Sequence, residues 1–489
     1  MTSSTPVLPA AQSRPRLVGY RDVPQIPHDE VVDLHARHLN PGLVTLMRLG
    51  GYDAVRPVRA QGAYVELEDG RRVLDLISSY GALNHGHNHP RVLAAARWFD
   101  EQAQPDLLKE FASPWPAALA KNLIELAPDG LDSVFFCNSG TEAVEGAMKL
   151  AVRAFEGQRD RFVYAENSLH GKTFGALQIT GREKYRGFVP RFPAWPMVPF
   201  GDASAIEAAL TGPEGKRIAG VVLEPVQGEG GVIVPPAGYL REVERLCRQH
   251  GVLLILDEIQ TGIGRTGWFF RCASEGVTPD VLCIAKSLGG GVATIGATIT
   301  RSDLQKKAYG SVDQCLVHTS TFGGRARSCA VAMEALQVAV DEDFAGRAQR
   351  LGRWLRAELE AVRAKHPRSI KSIRGDGLML GVEFHDPDIS VPPLFPKELV
   401  ARIAARSLPG VVGAELLARH DVLASFVLNN PRVLRIYPSL VCTQEDLARI
   451  PAALDAVLEK GLARLVSGVL QRAVRAHGLT TVVGWLRRW

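Results

Sequence analysis

The sequence predicts an α/β protein built around a mostly parallel β-sheet. Short apolar runs alternate along the chain with stretches of helical periodicity. The runs are SVFFC, RFVYAE, IAGVVLEP, VLLILDE and VLCIAK, and the clearest helical stretches are TEAVEGAMKLAVRAF and GYLREVERLCRQHG. Runs that are apolar on both faces are typical of strands covered by helices on both sides. Ligands of such sheets bind at the carboxyl ends of the strands, so the polar residues that end the runs are the candidate site residues.

The segments that precede and follow these runs in the sequence have different residue patterns. Residues 1–30 are rich in Pro, Ser and Thr, and we expect a loosely held arm there. The stretch YVELEDGRRVLDLIS then predicts a strand, a turn and a second strand. Beyond residue 370, the stretches IRGDGLMLGVEF, VLRIYPSLV and TQEDLARIPAALDAVLEKGL indicate a smaller α+β unit.

We therefore expect the chain to have four parts. They are an N-terminal arm with a segment that packs on the small domain (1–75), a large domain that carries the site (76–370), a small C-terminal domain (371–462) and a basic amphipathic tail (463–489).

The tail fits an amphipathic helix. It has no acidic residue after Glu459, and its apolar side chains form a stripe at helical spacing: Leu462, Leu465, Val466, Val469 and Leu470. The simplest interpretation is a helix packed on the body of the protein or at a dimer interface. A membrane-surface helix and a dock for an acidic carrier protein are the alternatives.

Composition excludes several classes of protein. The 489 residues are 46% hydrophobic and 22% charged, with a formal net charge of +5, which is too small a bias to indicate nucleic-acid binding. No apolar run approaches the roughly 20 residues that span a bilayer, and the N-terminus does not resemble a secretory signal. Seven scattered cysteines without C-x-x-C predict a reduced, cytoplasmic protein without a metal site.

One motif, LDEIQTGIGRTGW, contains the G-x-G-x-x-G spacing of a dinucleotide-binding loop, at Gly262, Gly264 and Gly267. In a true fingerprint the first glycine follows its strand directly, whereas residues 257–261 intervene here. The following WFFRCAS also lacks the pattern of a helix that packs on a sheet. An NAD site is therefore the weakest of the functional hypotheses.

The polar residues at the strand ends form a more informative set. Asp257 and Lys286 each end an apolar run, and Ser139, Gly140 and Thr141 join another run to the start of a helix, where Thr141 is placed as the N-cap. The free N–H groups of a helix N-terminus bind phosphate. A phosphate turn, an aspartate that keeps a pyridine nitrogen protonated and a lysine that forms a Schiff base are the parts of a pyridoxal phosphate (PLP) site.

The chain resembles the class III, or ω-type, PLP-dependent aminotransferases of fold type I, which include ornithine, putrescine and 4-aminobutyrate aminotransferases. The resemblance covers roughly residues 40–460 and rests on motifs in family order: SSYGALNHGHNHP, NSGTEAVEGAMKLA, LHGKTFGAL, EPVQGEGG, LDEIQTGIGRTG, AKSLGGG and STFGG. It implies a large domain with a mostly parallel seven-stranded sheet and a smaller α+β domain. It also implies transfer of an amino group, through PLP and its amine form PMP, between glutamate or a primary amine and an aldehyde or keto acceptor.

The resemblance assigns roles to the residues around the cofactor. Lys286 forms the Schiff base and then moves the substrate proton, and Asp257 pairs with the pyridinium nitrogen. Gln260 binds the ring oxygen, while Ile259 presses on one face of the ring. The remaining cofactor-binding residues implied by the family are Ser139, Gly140, Thr141, Leu169, His170, Glu224 and Thr321. Thr321 resembles the family threonine that reaches the phosphate of the neighbouring subunit, which implies a homodimer.

The substrate-facing residues implied by the family are Tyr80, Lys172, Glu229 and Arg435. Glu229 and Arg435 correspond to a pair that opens for a side-chain carboxylate and closes when the amine substrate has none.

Three positions depart from the family pattern. Leu169 stands where an aromatic residue usually stacks on the ring, and Lys172 replaces a carboxylate-binding Arg with a side chain that cannot bind it as a fork. Arg325, in GGRARSCA, alters the segment after Thr321.

The sequence alone leaves other functions open. An aminomutase or an amino-acid decarboxylase of the same fold uses similar residues, and a non-catalytic PLP-binding partner module keeps the fold without the reaction. The presence of Lys286, Asp257 and Gln260 together argues against the last.

Overall fold

A computed structural model describes residues 17–189, 195–386 and 397–487 of the chain. It confirms the predicted α/β fold. The strands are β1 (Pro57–Gln61), β2 (Tyr64–Leu67), β3 (Arg72–Asp75), β4 (Ser133–Cys137), β5 (Arg161–Ala165), β6 (Met197–Val198), β7 (Ile218–Leu223), β8 (Leu253–Asp257), β9 (Val281–Ile284), β10 (Gly296–Thr300), β11 (Ile370–Asp376), β12 (Met379–Phe384), β13 (Val422–Leu423), β14 (Ser425–Phe426) and β15 (Val433–Ile436).

The α-helices are α1 (His28–Leu34), α2 (Pro41–Gly50), α3 (Ser78–Gly81), α4 (Pro90–Glu101), α5 (Pro114–Leu126), α6 (Gly140–Ala154), α7 (Glu183–Arg186), α8 (Ala203–Thr211), α9 (Tyr239–His250), α10 (Ser302–Tyr309), α11 (Ala326–Asp341), α12 (Phe344–Lys365), α13 (Lys397–His420), α14 (Gln444–Leu458), α15 (Leu462–His477) and α16 (Leu479–Arg487). A π-helical turn, His35–Leu39, follows α1, and short 3-10 turns occur at Val23–Gln25, Tyr52–Ala54, Ala176–Ile179, Gly215–Arg217, Arg271–Glu275 and Lys286–Gly289.

The central sheet has seven strands in the order β4-β10-β9-β8-β7-β5-β6. Only β10 is antiparallel to its neighbours. Leu254 and Leu256 of β8 face one cluster of the core, whereas Leu253 and Ile255 face the other, as expected for a strand covered on both faces. The carboxyl ends of β4, β5, β7, β8 and β9 therefore lie along one edge of the sheet.

Two four-stranded sheets flank this core, in the orders β1-β2-β3-β13 and β11-β12-β15-β14. In the first, β13 pairs in parallel with β3, so a strand from the C-terminal part of the chain completes an N-terminal meander. The second is antiparallel throughout. The four-part division of the chain remains a prediction, and residues 1–16 of the expected arm lie outside the described residues.

The C-terminal tail forms α15 and α16. The apolar stripe of α15 is buried, and α15 packs on α13 and α2. The buried Glu415 of α13 accepts hydrogen bonds from Lys460 (3.0 Å) and Arg472 (2.7 Å), which hold the tail in place. The apolar face that a membrane surface would need is thus buried inside the chain. Within the described ranges, no helix has both the length and the apolar character to cross a bilayer.

Candidate active site

A cavity of about 940 Å³ lies at the carboxyl edge of the central sheet. It gathers side chains from five strand ends and their following turns. The sequence-predicted residues that line it are Tyr80, Ser139, Gly140, Thr141, Leu169, His170, Lys172, Glu224, Glu229, Asp257, Ile259, Gln260 and Lys286. Arg435 lies behind Glu229, and Thr321 is exposed away from the cavity.

Asp257 is the last residue of β8 and is buried. Its Oδ2 lies 2.8 Å from Nδ1 of His170, and its Oδ1 accepts a hydrogen bond from the N–H of Ile259 (3.1 Å). Burial opposes the charged imidazole, but the hydrogen bond and charge of Asp257, aided by Glu224, outweigh it and raise the pKa of His170. The Asp257 carboxylate therefore favours a proton on Nδ1 of His170, which donates to it.

Glu224 follows β7 and is buried beside this pair. Burial raises its pKa to about 7, with the charge of Asp257 adding to the effect and that of His170 opposing it. Its carboxylate accepts hydrogen bonds from the N–H groups of Leu169 (3.0 Å) and Gly228 (3.1 Å). Glu224 thus fixes the backbone on both sides of the cavity.

Lys286 follows β9 and begins a 3-10 turn with φ of 47°, a left-handed conformation that is uncommon outside glycine. Burial is the main cause that lowers the pKa of its amine; Glu229 and Asp257 oppose the shift and Arg435 adds to it. A buried lysine with a lowered pKa is a reactive nucleophile, because more of it is unprotonated at neutral pH.

The turn after β4 has the geometry expected of an anion site. Helix α6 begins at Gly140, and Ser139 is its N-cap, because the Ser139 Oγ accepts a hydrogen bond from the N–H of Glu142 (3.3 Å). Thr141 is therefore inside the first turn, and its prediction as the N-cap was wrong by two residues. A Cβ added to Gly140 would lie 2.7 Å from Cδ1 of Ile259, so glycine allows the turn to approach the residue under the expected ring.

Glu229 and Arg435 form a buried ion pair. The Arg435 guanidinium also lies 4.9 Å from the ring centroid of Tyr80 and 5.0 Å from that of Tyr437. Its Nε and Nη1 atoms have no hydrogen-bond partner in the described part of the chain. The guanidinium therefore has donors left for a further acceptor.

Gln260 connects Tyr80, which lines the cavity, to Tyr437. Its Nε2 donates to the backbone oxygen of Tyr80 (3.0 Å), and its Oε1 accepts from the hydroxyl of Tyr437 (3.3 Å). Tyr80 and the two preceding residues, Ser78 and Ser79, all have positive φ angles. Such local strain is typical of functional sites, where the surrounding contacts hold it.

Comparison with known proteins identifies the family. Residues 51–458 match the family described as aminotransferase class-III.

The chain belongs to the class III aminotransferases.

Individual relatives agree with this assignment. The aminotransferase PigE of Serratia sp. (strain ATCC 39006) is 38% identical in an alignment 463 positions long, which covers 88% of this chain and 54% of that protein. The chain thus spans about half the length of this curated relative. The ornithine aminotransferase of Toxoplasma gondii ME49 superposes with a TM-score of 0.77 at 31% identity, over 90% of this chain and 98% of that one. A PLP-bound amine transaminase from an uncultivated Pseudomonas species gives 0.72 at 28% identity, over 83% and 95%.

The departures of this class III aminotransferase now have structural contexts. Leu169 is half-buried and lines the cavity. Lys172 is exposed at the cavity, with its Nζ 5.5 Å from the ring centroid of Tyr185. Arg325 is paired with Asp106 through its Nε and Nη2, so it ties the start of α11 to the segment after α4.

The glycines of GIGRTG have a structural role in this class III aminotransferase. Gly264 and Gly267 have φ angles of 85° and 92°. They frame Arg265, which is fully buried and donates to the side chain of Asn84 and to the backbone oxygens of Leu378 and Pro438. The motif therefore fastens the turn after β8 to segments distant in the sequence, which explains its conspicuous spacing without a dinucleotide.

Sequence analysis missed three residues near the Ser139–Thr141 turn. The Thr141 and Thr173 hydroxyls lie 2.7 Å apart, and the Thr173 hydroxyl donates to Glu145 (2.6 Å). Asn138 donates to the hydroxyl of Ser320 (3.0 Å). Asn138 lies in the NSGT motif and Thr173 in LHGKTF, so their positions in these motifs could have indicated them. Glu145 lies four residues after Thr141, one helical turn away, and this spacing could have indicated it.

Proposed function

We propose that this chain is a transaminase that moves an amino group between glutamate or a primary amine and an aldehyde or keto acceptor, with PLP and PMP as the carrier. The observation that supports this most is the meeting of Lys286, Asp257 and the Ser139–Thr141 turn in one cavity. The family is PLP-dependent. Because the chain covers only 54% of PigE, no substrate of PigE is assigned to it.

The residues present fit PLP. First-turn N–H groups of a helix lack intrahelical partners, and α6 directs such groups at the cavity from Gly140 and Thr141. The Asp257 carboxylate lines the same cavity and is held from behind by His170. Ile259 contacts the phosphate turn, and Lys286 completes the set. When bound, PLP withdraws electrons from the bond that is broken at the substrate carbon.

The chain's own residues divide the remaining work. Lys286 supplies an unprotonated amine and then receives and returns the substrate proton at Nζ. His170 orients Asp257 by donation from Nδ1, and Asp257 stabilises a proton on the ring nitrogen. Glu229 and Arg435 lie beside Tyr80 at the substrate end. A closed pair accommodates an amine substrate that has no side-chain carboxylate, whereas a substrate carboxylate competes with Glu229 for Arg435.

We also propose that two copies of the chain assemble around Thr321. Exposed large apolar side chains occur on two segments, 107–111 and 312–322, which Lys109 joins by hydrogen bonds to Ser320 and Gly323. They are Leu107, Leu108, Phe111, Val312, Leu316, Val317 and Phe322. Apolar groups exposed in such numbers beside a site are typical of an interface. The assembly would place Thr321 at the phosphate of the partner's site.

The seven cysteines are unpaired, and six of them are buried. We propose a reducing, cytoplasmic compartment on this basis.

A product assay tests the proposed reaction against its rivals. We expect the PLP-loaded protein with glutamate and an aldehyde acceptor to release 2-oxoglutarate in equal amount to the new amine. Carbon dioxide release from the donor would indicate a decarboxylase, and isomerisation without a second substrate would indicate an aminomutase; either result, without a keto product, would contradict transamination.

A further inference from the structure

The turn at 320–323, which carries Thr321, is fixed to the central sheet. Asn138 Nδ2 donates to the hydroxyl of Ser320 (3.0 Å), and this hydroxyl oxygen also accepts from the N–H of Gly323 (3.2 Å). A Cβ added to Gly323 would overlap the backbone oxygen of Phe136, so the turn lies directly on β4. The position of Thr321 is thus set by β4 and by the residue that follows the strand end.

Asn138 is also part of the chain's own phosphate turn. Its backbone N–H donates to Glu142 Oε2 (2.7 Å), which accepts from the Ser139 hydroxyl as well (3.1 Å). The Asn138 side chain lies 3.4 Å from Glu142 Oε1. One residue therefore contacts both the phosphate turn of its own site and the turn that carries Thr321.

Lys109 also holds the turn at 320–323. Its Nζ donates to the backbone oxygens of Ser320 and Gly323, the residues that flank the Thr321–Phe322 pair. The segment that carries Lys109 is in turn tied to the start of α11, because Asp106 binds the Arg325 side chain and its backbone oxygen accepts from the N–H of Ala326 (3.0 Å). These contacts come from two distant parts of the chain and converge on four residues.

We propose that Asn138 and Lys109 are positioning residues that hold Thr321 for the phosphate bound in the partner subunit, so that Asn138 serves both sites of a dimer. This inference rests on the proposed homodimer and on Thr321 acting across it. Thr321 is exposed, and its turn is nevertheless held by four hydrogen bonds to side chains and backbone. Loss of one neutral hydrogen bond weakens a contact about five- to tenfold.

Mixed dimers separate the two sites. One chain carries Lys286→Ala, so its own site shows no lysine-bound cofactor, together with Asn138→Ala; the other chain is wild type and is selected by a tag. The readout is the rate at which the wild-type site loses the visible absorbance of its cofactor in the presence of a PLP trap. We expect this rate to rise about five- to tenfold over mixed dimers with Lys286→Ala alone.

Further substitutions in the Lys286→Ala chain test separately whether Thr321 acts across the interface and whether Asn138 and Lys109 position it. Thr321→Ala is expected to speed release in the same way, and adding Asn138→Ala to it should have no further effect. Lys109→Met is expected to act like Asn138→Ala, whereas Lys121→Met, an exposed lysine on α5, should not. Ser320→Ala removes the same contact should Asn138→Ala fail to assemble.

Two results would overturn the inference in different ways. If Thr321→Ala speeds release from the partner's site but Asn138→Ala, Ser320→Ala and Lys109→Met do not, Thr321 acts across the interface without these positioning residues. If Thr321→Ala itself has no effect, or if the protein sediments as a monomer, the proposed assembly is wrong and the inference falls with it.

Discussion

At the residue scale, the charges around Lys286 decide when its amine can react. Burial lowers the pKa of this amine, the carboxylates of Glu229 and Asp257 raise it, and Arg435 lowers it. Glu229 and Arg435 are paired with each other, so they act on Lys286 with opposite signs from nearly the same place. The pair proposed to bind the substrate thus also affects the pKa of Lys286.

Single substitutions in this pair should shift the pH profile of cofactor capture in opposite directions. Glu229→Gln removes a charge that raises the pKa of Lys286, so we expect the free amine to persist to lower pH and the profile to move to lower pH. Arg435→Met removes a charge that lowers this pKa, so we expect the profile to move to higher pH. The measurement is the rate at which visible absorbance appears when PLP is added to cofactor-free protein at a series of pH values.

A surface variant provides the control for this experiment. Arg350→Met disrupts an ion pair with Asp343 in which both side chains are more than half exposed, and we expect an unchanged profile. A shift of both site variants in the same direction would show that the charges of Glu229 and Arg435 do not govern Lys286.

At the scale of elements, the start of α6 shows what local sequence can and cannot determine. The change from an apolar run to helical periodicity located the strand, the turn and the helix. It did not locate the cap, because Ser139 and Thr141 are both favourable N-cap residues and the choice depends on the backbone of the turn. The structure selects Ser139, which leaves Thr141 free to face the cavity.

The tail helix α15 is the element whose role the sequence left most open. The simplest interpretation of its stripe was packing on the body of the chain or at a dimer interface, with a membrane surface and an acidic carrier protein as alternatives. The partners that decide the matter, helix α2 and Glu415 of α13, are far from the tail in sequence, so no local pattern predicts them. Packing of this kind predicts that the tail contributes to stability.

Truncation of one stripe residue tests this. Leu465 is buried in the core, and we expect Leu465→Ala to lower the free energy of unfolding by about 2–5 kcal/mol. The neighbouring Arg464 is exposed, and Arg464→Ala should change it by less than about 0.5 kcal/mol. Urea unfolding of the full chain gives both values. Equal values for the two variants would mean that α15 is not part of the folded core.

At the scale of the whole molecule, the sequence was sufficient to predict the architecture of the central sheet and the residues at its strand ends. These follow from runs, turns and their order, which are local properties. The pairing of β13 with β3 and the hydrogen bonds of Arg265 to Leu378 and Pro438 join segments more than a hundred residues apart, and short strands or isolated arginines give no signal of their partners. The roles of the site residues in cofactor and substrate binding remain predictions.

These long-range contacts matter for the site. Arg265 ties the turn after β8 to the strands of the second small sheet, and Arg435 extends from β15 of that sheet to Glu229. The turn after β8 and Glu229 are therefore both joined to the small sheet β11-β12-β15-β14, while the cavity itself lies at the carboxyl edge of the central sheet.

The most direct test is the half-reaction of the PLP-loaded protein with an amino donor in the absence of an acceptor. Because Lys286 is proposed both to bind the cofactor and to move the substrate proton, we expect the wild-type protein to lose its visible absorbance and to release keto product equimolar with the cofactor. Lys286→Ala should do neither, and Lys121→Ala should do both. Release of keto product by Lys286→Ala at the wild-type rate would contradict a transaminase that works through Lys286.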